Sequence, residues 1–289
     1  LIKKISDLYN HGTFRLSKQK KFIMVRKPGG PRKRFVKYDE PETPKTWRLN
    51  QYIAQSGLCS RRKADEYIRE GRIKLNDQVV TNLGVIVKSG DRIKVDDKPI
   101  VPEKNVYILM NKPKDVITTL NDPEGRKTVL DILGEAATER IFPVGRLDRN
   151  TTGLLLLTND GDLAQKLSHP SAQVSKIYEI TLDRPVLVQD LNKLRAGFTL
   201  EDGFIKPDAV EYNLEKGKNT LGIIIHSGKN RIVRRMLESL NYKVKKLDRT
   251  EYAGLTKKDV PRGKWRHLKK IEVINLKHFI NTRTQSSER

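Results

Sequence analysis

The chain has 289 residues, enough for more than one domain, and a net charge of +23. Such a basic surface attracts a polyanion and releases its counterions, although charge alone does not separate RNA from DNA or anionic membrane. No run approaches the ~18 consecutive apolar residues of a membrane span, and a single cysteine, Cys59, excludes an internal disulfide framework and a multi-cysteine zinc site.

Residues 1–38 hold twelve Lys or Arg against one acid, Asp7, which is close to half of the net charge. Lys27-Pro28-Gly29-Gly30-Pro31-Arg32-Lys33-Arg34 can sustain neither a helix nor a central strand. Residues 1–45 are therefore expected to be a disordered basic arm able to follow an RNA backbone. Met24 opens the most basic part, which makes the residues before it a candidate product of upstream translation. The acid-poor start also resembles an organelle transit peptide, but its few serines count against that.

Residues 46–103 read as a compact unit. Leu49, Tyr52 and Ile53 recur at helical spacing, with Gly57 as the stop. Cys59 is expected to be a small buried residue. Ser60 is a plausible N-cap for a second helix whose Ala64, Tyr67 and Ile68 share a face, and Gly71 would end it in a left-handed conformation. Ile73-Lys74-Leu75, a turn at Asn76-Asp77, Val79-Val80 and Ile93-Lys94-Val95 read as short strands. Arg61, Arg62 and Lys63 open the second helix, where cations oppose the macrodipole and so call for an anionic partner. Arg72 and Lys74 lie just past its end. The pattern R-L-x-x-Y-I-A…S-R-R-K-A-D…I-x-x-G-R-I-x-L-N, beginning at Arg48, resembles the S4 (αL-type) RNA-binding domain. The resemblance implies a basic helical face for structured RNA, made by Arg48, Ser60, Arg61, Arg62, Lys63 and Arg72.

From Val106 onward strands and helices mix without Rossmann glycines, a P-loop or internal repeats. Val106 to Met110 is a strand candidate ended by Asn111-Lys112-Pro113, and Tyr178 to Leu182 is another, stopped by Asp183-Arg184-Pro185. Leu187, Leu191 and Leu194 recur at helical spacing before Gly197, Ile223 to His226 reads as a strand, and Arg231 to Leu240 has a helical pattern. The five histidines lack metal-like spacing, and His226 reads as a strand-end residue.

The most informative stretch is Phe142-Pro143-Val144-Gly145-Arg146-Leu147-Asp148-Arg149-Asn150-Thr151-Thr152-Gly153, followed by four leucines and Thr158-Asn159-Asp160-Gly161. It sets one carboxylate, Asp148, on a polar turn between apolar runs, with Arg146 and Arg149 beside it. Leu154 to Leu157 reads as a buried strand leading into an Asn-Asp-Gly turn. A carboxylate on a loop held by rigid strands is where a catalytic group would sit. Equally, Asp148 could pair with Arg146 or Arg149 on a solvated loop.

This stretch resembles the G-R-L-D-x-x-T-x-G-L-L-L-L-T-N-D-G signature of the RsuA/RluB/RluE/RluF family of ribosomal RNA pseudouridine synthases. The resemblance implies that Asp148 is the nucleophile, attacking the ribose or the base or driving formation of a glycal. Gly228 to Met236 resembles the family's G-K-N-R-Q-V-R-R-M motif, which implies an ion pair from Arg234 to Asp148. Lys229, Asn230 and Arg231 would contact RNA, Arg235 is ambiguous, and Ile232 replaces the usual Gln. Lys176-Ile177-Tyr178 resembles the K-x-Y motif, which implies that Tyr178 packs on the flipped base and takes part in proton transfer. Arg146 and Lys176 would join the RNA contacts. Asn111-Lys112-Pro113 and Asp122 to Val129 also match, and Asp115 stands where the family commonly has Gly, in a turn that Asp can tolerate.

The expected architecture is α+β: the small S4 domain (46–103), then a pseudouridine synthase core on a mixed, largely antiparallel sheet (104–278), then a tail (279–289). The expected function is cofactor-free isomerisation of a uridine in ribosomal RNA, 23S-type first and 16S-type second, with no metal and no nucleotide cofactor. Expected partners are ribosomal RNA or a pre-ribosomal particle, with no membrane, for a cytoplasmic monomer. The alternative is a non-catalytic S4-domain RNA-binding or ribosome-assembly factor, against which the combination of Asp148, Tyr178 and Arg234 argues. A DNA-binding protein is disfavoured because no recognition-helix or zinc-finger pattern appears.

Overall fold

A computed structural model describes residues 46–134 and 139–286, and the basic arm lies outside the described residues. The chain divides into two compact units, with the boundary in sequence between Pro102 and Glu103.

In the first unit, α1 (Leu49–Gln55) and α2 (Arg61–Arg69) pack with a four-stranded antiparallel sheet of β1 (Ile73–Leu75), β2 (Gln78–Val80), β3 (Ile93–Val95) and β4 (Lys98–Ile100), ordered β2-β1-β3-β4. The Ser60 hydroxyl caps α2 by accepting from the Lys63 N–H (3.2 Å). Gly71 is left-handed at φ +71°, and Asn76 and Asp77 both take positive φ in the β1–β2 turn. Leu49, Ile53, Ala64, Ile68 and Ile73 are fully buried in its core, with Cys59 at the edge. The expected elements of this unit are all present.

In the second unit the main sheet has the order β10-β11-β7-β12-β6-β5-β14. These strands are β5 (Tyr107–Lys112), β6 (Thr152–Thr158), β7 (Lys176–Leu182), β10 (Ala209–Tyr212), β11 (Thr220–Ile225), β12 (Val244–Tyr252) and β14 (Trp265–His267). β8 (Phe198–Leu200) and β9 (Gly203–Ile205) form a separate hairpin, and β13 (Leu255–Thr256) pairs with β12. Every pairing is antiparallel except β6 with β12, so the sheet is mixed and largely antiparallel. The helices are α3 (Val129–Leu133), α4 (Gly161–Ser168), α5 (Val188–Ala196), α6 (Ile232–Glu238) and α7 (Lys270–Ser286).

Leu154 to Leu157 are fully buried, because β6 is central and alternate side chains fill cores on opposite faces of the sheet. Gly153 shows why this strand begins with glycine. Its φ is +107°, and a Cβ there would stand 2.2 Å from the backbone oxygen of Arg249 on β12.

Three boundaries differ from the sequence reading. Asn159-Asp160-Gly161 starts a helix rather than making a turn, because the Asp160 carboxylate caps α4 through the Leu163 N–H (3.0 Å). β5 continues through Asn111 and Lys112, whose side chains find buried partners instead of ending the strand. α7 runs past 278 as far as Ser286, since nothing from Lys270 to that point is Gly or Pro. Among the described residues no helix is long and apolar enough to cross a membrane.

Candidate active site

The loop that carries Asp148 is held from both ends and from beneath. Before it, Phe142–Pro143 pairs with the end of β6, and the Val144 N–H donates to Leu156 O (2.8 Å). The Thr118 hydroxyl donates to Leu147 O (2.9 Å), and the Thr151 N–H donates to Asp148 O (3.0 Å). Beneath it lies Lys112, with 0 % of its surface exposed. Its Nζ donates to the carbonyls of Pro113 (3.1 Å), Asp148 (3.1 Å), Arg149 (3.2 Å) and Thr151 (2.9 Å), so three protons serve four acceptors. Burial, partly offset by the charges of Asp148 and Asp115, pushes the Lys112 ammonium down to about 8.

Asp148 pairs with neither of its neighbours in sequence. Arg149 turns to Asp115 (3.4 Å), which takes the left-handed φ of +62°, and Arg146 is exposed. The ion pair comes from α6: Arg234 Nε stands 3.8 Å from Asp148 Oδ2. Arg234 is 9 % exposed, and its Nη1 donates to Val244 O (3.4 Å). Burial and then the nearby Arg231 push its pKa down, while Asp148 opposes them; a guanidinium nevertheless stays charged. Sequence neighbours thus lose Asp148 to a residue 86 positions away, because α6 brings a buried cation to the loop.

Asp148 and Tyr178 line one cavity of about 210 Å³, room enough for a pyrimidine base. Arg146, Lys176, Lys229 and Arg231 also line it, as do Arg249 and Tyr252. Tyr178 is half-buried on β7. Lys176 turns its Nζ to the carbonyls of Val174 (2.9 Å) and His226 (2.8 Å), and burial followed by repulsion from Arg249 pushes it down to about 8.

The remaining motif cations are more committed than their sequence suggests. Arg235 donates to the Asp202 carboxylate at the tip of the β8–β9 hairpin (2.9 Å) and holds Asp202 down at about 2. Lys229 donates to the Asp202 carbonyl (2.6 Å). Arg231, in a left-handed conformation at φ +46°, reaches Glu238 (3.3 Å), and Asn230 is exposed. His226 stands just after β11 with Nδ1 2.7 Å from Asp208. Ile232 is buried and packs in the core.

In the first unit, considered by itself, Arg48, Arg61 and Arg62 are exposed, while Lys63 pairs with Glu66 (2.6 Å). Arg72 is a bidentate partner of Asp96 and stacks 3.8 Å over the Tyr67 ring. Among the described residues no cluster of His, Cys, Asp and Glu could hold a metal.

Lys112 and Arg249 had no role in the sequence reading. The sequence signal for Lys112 is a lysine continuing an apolar strand. Arg249 gives none, since it sits in a charged strand, Val244 to Tyr252.

The family model for RNA pseudouridylate synthases matches residues 106–239, and that for the S4 domain matches residues 47–93. The chain is 43 % identical to the ribosomal large subunit pseudouridine synthase B of Bacillus subtilis (strain 168), over 80 % of this chain and 95 % of that protein. It is 42 % identical to an uncharacterised RNA pseudouridine synthase of Aquifex aeolicus (strain VF5), over 79 % of this chain and 93 % of that one. The dual-specificity RNA pseudouridine synthase RluF of Escherichia coli (strain K12) is 38 % identical over 79 % and 78 %. A crystal structure of a pseudouridylate synthase superposes with a TM-score of 0.58 at 27 % identity, covering 79 % of this chain and 99 % of that one. The chain belongs to the RNA pseudouridine synthase family, in the RsuA/RluB/RluE/RluF group whose catalytic domain follows an S4 domain, and it is an isomerase.

Proposed function

We propose that the chain converts one uridine of ribosomal RNA to pseudouridine, with large-subunit (23S-type) RNA as its first target and small-subunit RNA as its second. The observation that carries this reading is the pair of Asp148 with the buried Arg234 beside a base-sized cavity that also presents Tyr178. The large-subunit preference rests on the name of the Bacillus relative.

Asp148 is the nucleophile. Its carboxylate bonds to C1′ of the ribose as the C1′–N1 bond breaks, and the bonding pair leaves with the uracil. Tyr178 keeps the base stacked while it turns, because an aromatic face is indifferent to rotation of its partner. C5 then bonds to C1′ and the carboxylate departs with its electron pair. The C5 proton is lost and N1 takes one up, so composition and oxidation state are unchanged. An isomerisation of this kind calls for no cofactor. Arg234 holds the carboxylate in place and aims it.

Residues 46–103, through Arg48, Arg61 and Arg62, dock structured RNA, and residues 104–278 carry out the chemistry. The protein works as a monomer in the cytoplasm, on ribosomal RNA or a pre-ribosomal particle. Mapping pseudouridines in ribosomal RNA with and without the gene tests this directly. One uridine should lose its modification and regain it with the wild-type gene but not with Asp148→Asn; an unchanged map would overturn the reading.

A further inference from the structure

Arg249 lies on β12 directly across from Tyr178 on β7, and both side chains line the catalytic cavity. The residue is 3 % exposed. Its Nε donates to Leu154 O (2.7 Å) and its guanidinium stands 4.6 Å from the centre of the Tyr252 ring. Nη2 is buried and has no hydrogen-bond partner. A second cation, the half-buried Lys176, shares this wall and is bound to neutral carbonyls.

An unpaired buried donor costs about 1–3 kcal/mol, and more when it carries charge. The carboxylate in the cavity, Asp148, already has Arg234. Two cations in one wall, one with an unused N–H, therefore form a site short of an acceptor with negative charge. Tyr178 marks the depth at which the base sits, opposite Arg249, so the acceptor belongs to the base. Uracil gains such charge at one stage of the reaction: when C1′–N1 breaks, the bonding pair on N1 spreads over O2 and O4.

We propose that Arg249 is a catalytic residue that binds the detached uracilate through its carbonyl oxygens, with Lys176 adding a second positive charge beside it. This assignment rests on the Asp148 reading, in which the base leaves with the bonding pair. The cations lower the barrier to cleavage and retain the free anion while it turns. When C5 bonds to C1′, the negative charge passes from the base to the departing Asp148 carboxylate.

The test compares uridine with 5-fluorouridine at the target position of one RNA fragment, for wild type, Arg249→Lys and Arg249→Gln. Fluorine withdraws electrons and stabilises the departing anion by itself, so it lessens the need for the cation. Single-turnover loss of the target nucleoside, read by digestion and chromatography, reports the cleavage step. On uridine each variant should be slower by about 100-fold, the scale of a lost oxyanion donor. On 5-fluorouridine the deficit should shrink to below roughly tenfold. Equal deficits on both bases would mean a structural role, and a change confined to KM for RNA would mean a phosphate contact; either result overturns the proposal. If the variants do not fold, wild type decides. The free anion of 5-nitrouracil should compete with RNA at least about tenfold better than neutral uracil, a gap of 1.4 kcal/mol, and equal inhibition overturns the proposal. Asp148→Asn run beside them should be inactive on both bases, and its activity would instead remove the nucleophile assignment.

Discussion

The Nζ of Lys112 stands 3.1 Å from the carbonyl oxygen of Asp148, so the loop that carries Asp148 is built around a buried ammonium held from below. The same group also holds the carbonyls of Arg149 and Thr151. Three carbonyls of this loop, one of them that of Asp148 itself, thus converge on one charge.

Lys112→Met keeps the length of the side chain and removes the donors. Each carbonyl left buried without a partner costs about 1–3 kcal/mol, so thermal unfolding should shift down. The loop should also relax by about 1 Å, enough to slow turnover on the order of 100-fold. The expected pattern is a loss in kcat with little change in KM, followed by tritium release from C5-labelled RNA.

Asp148→Asn removes the proposed nucleophile without altering bulk, so turnover should vanish while RNA affinity stays within a few-fold. Arg234→Ala should lose about 100-fold or more in rate, the scale of a preorganised charge at a reacting group. Arg234→Lys should recover part of that, because lysine keeps the charge and loses the planar fork. Wild-type turnover by the alanine variant would mean that the ion pair of Arg234 with Asp148 has no part in catalysis.

Two lysines of the site, Lys112 buried and Lys176 half-buried, set an alkaline limb. Lys112 and Lys176 are both pushed down to about 8, so activity should fall as pH rises through that value. The sign for stability is opposite. Between about 8 and the ordinary lysine value of 10.5, the unfolded chain binds more protons at these sites, so their contribution to stability rises with pH. Activity should therefore be lost without a matching loss of thermal stability. Lys176→Arg fixes one of the charges, and any limb that persists in it belongs to Lys112.

Deleting residues 1–45 should weaken RNA binding and flatten its salt dependence while leaving the catalytic fold intact, because the arm holds much charge and little apolar sequence. Every phosphate that the truncated chain no longer neutralises should lower the slope of log affinity against log salt by roughly 0.7–0.9. Deleting residues 1–103 should cost far more affinity for structured RNA. The measurement is a salt titration of the full chain and both truncations on one fragment, and an unchanged slope for the first would make the arm a passive tail.

Local features were legible in the sequence because their causes are local. Ser60 as a cap, Gly71 as a stop and the left-handed Asp115 each follow from the preferences of one residue. The buried leucines of β6 follow from an apolar run bounded by polar residues. What stayed hidden depends on the tertiary fold. Asp160 reads as part of a turn until a helix is seen to need its carboxylate. Arg235 and Lys229 read as free cations until Asp202, some 30 positions earlier, is found between them. The partner of Asp148 came from a resemblance in motif, since nothing near it in the chain separates Arg234 from Arg146 or Arg149.

The parallel pairing of β6 with β12 also orders events in time. Asp248 and Arg249 pair with Thr152 and Gly153 across almost a hundred residues, and a pairing so distant in the chain closes slowly. During synthesis the first unit is complete once Pro102 has emerged, whereas the loop of Asp148 lacks its flanking strand until Tyr252 has followed. A nascent chain is therefore equipped to hold RNA well before it can modify it. A chain ending at Leu240 should accordingly show a folded first unit by NMR, dispersed and RNA-responsive, beside a second unit that has not assembled.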